Sequence, residues 1–129
     1  FHKQIDLICN DEYWWEMKDV ISTLKIYFDL GVNINCVDVW SYNLRKNGGT
    51  ALIKAARDGN FKLCDYLIEM GAVVDTLEKM KYYKVSRKNR NKLFELDKMY
   101  KIATNLFDKL PADKKDKKYR KKLKDLLSE

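Results

Sequence analysis

Acid–base and nucleophilic chemistry near neutral pH depends most readily on histidine, and this chain has one, His2. It stands at the very start of the sequence and offers no credible base for a Ser-His-Asp or Cys-His arrangement. The three cysteines, Cys9, Cys36 and Cys64, lack metal-ligand spacing, and the Asp and Glu residues are scattered rather than clustered. Gly48-Gly49 is followed by Thr50, not by Lys-Ser or Lys-Thr, so no phosphate-binding loop is present. No catalytic residue, metal site, cofactor or small-molecule substrate is therefore expected of this chain, although a longer parent could carry a catalytic domain elsewhere. An odd cysteine count, with Cys64 on an apolar helical face, reads as a reduced, intracellular chain in which Cys64 is a small apolar filler.

The chemistry that remains is recognition. Residues 36–48, CVDVWSYNLRKNG, concentrate Val39, Trp40, Tyr42, Leu44, Arg45 and Lys46. Aromatic and Arg side chains on a projecting loop are what binding anchors look like. Trp40, Tyr42 and Arg45, with Asn47 at the next tip and Arg57 on the neighbouring hairpin, are the candidate partner-binding residues. The alternative for Trp40 is that it folds back over the hairpins. The pair Trp14-Trp15 carries the same two readings, interface or core.

A second candidate set is cationic. Residues 1–75 hold 8 Lys/Arg and 11 Asp/Glu, whereas residues 76–129 hold 18 and 8, so the net charge of +7 comes from the second part. The basic runs are KVSRKNRNK, residues 84–92, and KKDKKYRKKLK, residues 114–124. Lys84, Arg87, Lys88, Arg90, Lys117, Lys118, Arg120 and Lys121 are the candidates for contact with nucleic acid or an anionic membrane surface. Lys-rich runs favour diffuse phosphate contact over base reading. The bland alternative is that such helices only solvate themselves.

The elements that must position these residues start from Gly49–Asp75, GTALIKAARDGNFKLCDYLIEMGAVVD. Thr50 is a good N-cap. Leu52, Ile53, Ala55 and Ala56 give a short apolar face, and Asp58-Gly59-Asn60 is turn chemistry. Phe61, Cys64, Leu67 and Ile68 recur at amphipathic-helix spacing, and Gly71 stands where a helix end needs a left-handed residue. The result is a helix–turn–helix hairpin with Leu67 in its core. Residues 21–35 repeat its second half: Ile21, Leu24, Tyr27 and Phe28 match Phe61, Cys64, Leu67 and Ile68, and Gly31 matches Gly71, 40 positions on.

The central stretch is similar to an ankyrin repeat, through Thr50-Ala51-Leu52-Ile53, Ala55-Ala56, Gly59-Asn60, Leu67-Ile68 and Gly71-Ala72-Val73-Val74-Asp75. Ala51 replaces the usual Pro and Ile53 the usual His. About one repeat matches well. Against the usual period of about 33 residues, the spacing of the two glycines implies an insertion of about seven, which residues 36–48 hold. The first repeat's inner helix is degenerate: Glu12 falls where Leu52 sits and Trp15 where Ala55 sits, so a helix there is shifted or rebuilt, with Asn10 or Asp11 as possible N-cap. The resemblance implies a protein-binding module, since ankyrin arrays generally bind proteins and are rarely catalytic. Short, divergent, Lys- and Asn-rich arrays look like those of viral or intracellular bacterial proteins that act on host partners.

After Asp75 the ankyrin pattern fails. Leu93, Leu96, Tyr100, Ala103, Phe107 and Leu110 form a helical stripe that Pro111 ends, and Tyr119, Leu123, Leu126 and Leu127 form another that Asp113 can cap. The expected organisation is all-α: residues 1–78 as about two ankyrin-like hairpins with the long loop 36–48, and residues 79–129 as a basic pair of amphipathic helices that extends or caps the array. The chain's 129 residues, 46% hydrophobic and 35% charged, fit one domain by the size prior. No stretch reaches the roughly 18 apolar residues of a membrane span. The first residue is Phe1 rather than Met, as expected of a fragment or processed form. The expected partner is another protein, in the cytoplasm or nucleus, of a host cell if the source is a pathogen.

Overall fold

A computed structural model describes residues 1–10, 16–39, 43–111 and 117–128, the side chains of residues 10, 117 and 118 excepted. These residues are mostly helical and form no strand, only an isolated antiparallel bridge between Asp38 and Gly49. The helices are α1 His2–Asn10, α2 Met17–Asp29, α3 Leu44–Asn47, α4 Ala51–Arg57, α5 Phe61–Glu69, α6 Leu77–Tyr82, α7 Arg87–Asp108 and α8 Lys117–Leu127. Two compact units divide within α7: Phe1–Leu93 and Phe94–Glu129.

In the first unit, α4 packs on α5 as a hairpin, α1 packs on α4, and α2 packs on α5. The hairpin forms for local reasons. The Thr50 side chain accepts from the Ile53 N–H, and the Asn60 side chain accepts from the Leu63 N–H, so each helix start has one orphan donor satisfied. Leu52, Ile53, Ala55, Ala56, Leu63, Cys64, Leu67 and Ile68 are buried between the helices, while Phe61 is only half-buried. Gly71, with φ of 105°, closes α5: its N–H bonds to the Ile68 carbonyl and that of Ala72 to the Leu67 carbonyl. α2 ends with the same two bonds, from Gly31 to Phe28 and from Val32 to Tyr27. That paired closure requires a left-handed residue, which Gly supplies without steric cost. The internal repetition read from residues 21–35 is thus present in the backbone. The Asn35 side chain accepts from the Val73 N–H and ties one helix end to the next.

Two expectations are corrected, and a third, the shifted first helix, is made specific. Asn10 is the last residue of α1, not an N-cap. The helix that packs on α4 lies upstream of the Glu12–Trp15 stretch, over His2–Asn10, because Ile5, Ile8 and Cys9 supply the apolar face that Glu12 could not. Between Asp75 and α7 the chain makes one further helix, α6, capped by Thr76, whose side chain accepts from the Lys79 N–H.

In the second unit, Tyr100 and Ala103 of α7 are buried, and Phe107 and Leu110 are half-buried. The Arg120 guanidinium and the Lys124 ammonium of α8 lie 5.6 and 5.3 Å from the Tyr100 ring centroid. No described helix is long and apolar enough to cross a membrane.

Candidate binding surface

The segment that links Cys36 to Thr50 is built on a buried cation. Lys54 lies in the apolar run of α4, between Ile53 and Ala55, and is 2% exposed. Its ammonium donates to Asp38 Oδ2 and to Asp6 Oδ1, both at 2.8 Å. A lysine taken out of water needs such partners, since an unpaired buried charge is prohibitively costly. Asp38 is itself buried, whereas the Asp6 side chain is 45% exposed. The backbone at Asp38 is fixed too, because its N–H donates to the Gly49 carbonyl at 3.0 Å. Gly49 has φ of 102°, and a Cβ there would lie 2.8 Å from Ile53 Cγ2, so a side chain is excluded twice over.

Extended backbone alternates its side chains, so turning Asp38 inward turns its neighbours outward. Val37 and Val39 are 46% and 59% exposed. Leu44 at the start of α3 is exposed as well. The α3 turn is capped by the Asn43 side chain, which accepts from the Lys46 N–H. Arg45 lies against α6: its Nε donates to the Tyr82 carbonyl at 3.3 Å and its guanidinium stands 5.2 Å from the exposed Tyr82 ring. Arg57 is half-buried, and its Nη1 donates to the Gly48 and Tyr83 carbonyls at 3.1 and 3.0 Å. Burial holds the Arg57 pKa below its ordinary value, with nearby Asp58 and Asp6 opposing the shift. The two arginines thus join the 43–48 segment to the end of α6.

Of the residues singled out from the sequence, Arg45 and Arg57 meet the same short turn, Tyr82-Tyr83, and Asn47 is the exposed last residue of α3. Trp14, Trp15, Trp40 and Tyr42 lie outside the described residues. Lys84, Arg87 and Lys88 are exposed between the end of α6 and the first turn of α7, and Arg90 donates to the Val85 carbonyl at 2.9 Å. Arg120 and Lys121 are half-buried on α8, the helix that also carries the backbone of Lys117 and Lys118.

Lys54, Asp6 and Asp38 escaped the sequence reading, and so did the neighbours of His2. The one usable signal was a lysine inside the run Ala51–Ala56, where every other side chain is apolar. His2 Nε2–H donates to the Cys36 carbonyl at 3.0 Å and lies 3.5 Å from the Cys36 thiol. That nitrogen therefore carries a proton and is not placed to accept the thiol's. The other ring nitrogen, Nδ1, is buried without a hydrogen-bonding partner. Burial, and then the Lys54 charge, lower the His2 pKa, while the Cys36 carbonyl, Asp38 and Asp6 oppose them. Burial pushes the Cys9 thiol up to about 12, with Asp58 adding to it, and raises Cys64 as well. Both thiols stay protonated near neutral pH, as apolar fillers do. Among the described residues no three His, Cys, Asp or Glu side chains form a metal-binding group.

Comparison of the chain with protein-family models, with curated proteins and with solved structures finds no match in any of the three.

Proposed function

We propose that the chain is a non-catalytic, ankyrin-type protein-binding module that meets its partner through the segment between Cys36 and Gly48. The observation that carries this reading is the outward display of Val37 and Val39 around the inward Asp38. Interior electrostatics hold the base of the segment, yet Val37 and Val39 remain exposed to water, where an apolar side chain contributes less to the fold than a buried one. Exposed Leu44 and Tyr82 extend the same apolar character beside Arg45. Aromatic and Arg side chains around apolar contacts are the usual composition of an interface core. Support for the ankyrin type is the α4–α5 hairpin, the matching helix ends at Gly31 and Gly71, and the packing of α1 on α4 and α2 on α5.

The test is retention of proteins from a cell extract by the wild-type chain and by Val37→Ser/Val39→Ser. A protein held by the first and lost by the second supports the reading. Identical retention by both would refute it.

A further inference from the structure

Helix α8 faces the wrong way for an ordinary amphipathic helix. Tyr119, Leu123, Leu126 and Leu127 share one face by their spacing, and such a face is normally the one that packs. Of that face only Leu123 is half-buried, and the neighbouring edge packs more deeply: Lys124 is buried and Arg120 half-buried, both over the Tyr100 ring. A π face attracts cations, and the Lys124 ammonium also pairs with Asp125 Oδ1 at 2.8 Å. Tyr119, Leu126 and Leu127 are left in water, Leu126 at 64% exposure. The exposed Lys122 stands beside them, its ammonium 5.3 Å from the Tyr119 ring centroid. On α7 of the same unit, Ile102 and Leu106, one turn apart, are exposed as well.

We propose that α8 docks on an anionic membrane surface, with Tyr119, Leu126 and Leu127 entering the headgroup–acyl boundary and the exposed Lys122 meeting lipid headgroups. The charge selects the occupant. The sequence of α8 carries six Lys/Arg against one Asp, so an acidic surface is attracted and a second copy of the same helix is repelled. The exposed leucines separate lipid from nucleic acid, because a phosphate backbone offers them no apolar contact, whereas a bilayer interface does. A short helix with an apolar face and a strongly basic one lies in the plane of such an interface. This inference stands apart from the protein-binding reading, which concerns the other unit.

The experiment is co-sedimentation of the full chain with vesicles of phosphatidylcholine alone and of phosphatidylcholine mixed with phosphatidylserine, with duplex DNA titrated in parallel. The chain should bind the mixed vesicles, bind neutral ones weakly, and be released by added salt. Tyr119→Ser/Leu126→Ser changes no charge, so it should weaken vesicle binding at least tenfold and leave DNA binding unchanged. Leu126→Ser alone, at an exposed position, should show part of the same loss with unchanged helicity by circular dichroism. The proposal is overturned if the chain ignores the mixed vesicles at low salt, if both Ser variants bind them like wild type, or if the loss appears equally with DNA. Self-association of wild type that the double variant abolishes, without vesicle binding, would also overturn it.

Discussion

Lys54 decides how the candidate surface is held. Its two carboxylates are not equivalent: Asp38 is buried and Asp6 is 45% exposed. Removing the cation strands a buried carboxylate, so Lys54→Met should cost on the order of 3–5 kcal/mol in urea denaturation. Asp38→Asn should cost less than that but more than Asp6→Asn, which should stay under about 1 kcal/mol because water screens an exposed partner. Equal losses for the two aspartates would show that the pairing at Asp38 is not the dominant one. His2 adds a pH signature. Its folded-state pKa is lowered, so the unfolded chain takes up the proton first, near pH 6.5. Below that point the unfolded state binds more protons and stability falls as pH falls. Denaturation midpoints measured from about pH 7 down to about pH 5.5 should decline for wild type and stay flatter for His2→Gln. Parallel curves would remove His2 from the account. Neither role was legible in the sequence. A lysine in an apolar run hints at burial but names no partner, and only the fold brings positions 6, 38 and 54 together.

Most of the helical elements were legible because local chemistry and tertiary packing agree in them. Thr50 and Asn60 cap, Gly71 ends a helix left-handed, and the apolar spacing of α5 is the buried face. α6 was missed because its Thr76 cap and single buried Met80 make a weak pattern. It closes with the bonds seen at Gly31 and Gly71, from Lys84 to the Lys81 carbonyl and from Val85 to the Met80 carbonyl, but the left-handed residue is Lys84, with φ of 62°. A side chain in that region costs roughly 1–2 kcal/mol. Lys84 is exposed, so Lys84→Gly should raise stability by about 0.5–1 kcal/mol after the greater freedom of Gly in the unfolded chain is counted. A lower melting temperature would mean that the Lys84 side chain makes a stabilising contact. α8 shows the limit of pattern reading at this scale: its apolar face was plain, but the buried Tyr100 ring draws in the cationic edge instead.

For the whole molecule, the repeated helix ends 40 residues apart were visible in the sequence, and the segment 36–48 lies between them. What the sequence could not tell is which side chains of that segment face outward, because period-2 alternation around Asp38 depends on Lys54 waiting inside. The division of the chain within α7 was equally hidden, since the stripe from Leu93 to Leu110 runs without a break. The central claim is that Val37 and Val39 are held outward to meet a protein. The most direct test is the affinity of a captured partner for wild type and for Val37→Ser/Val39→Ser, with melting temperatures taken on the same samples. The account predicts binding weaker by at least tenfold, about 1.4 kcal/mol, with an unchanged melting temperature, since both side chains already face water. Unchanged affinity would contradict it, and so would a lower melting temperature that accounts for the loss.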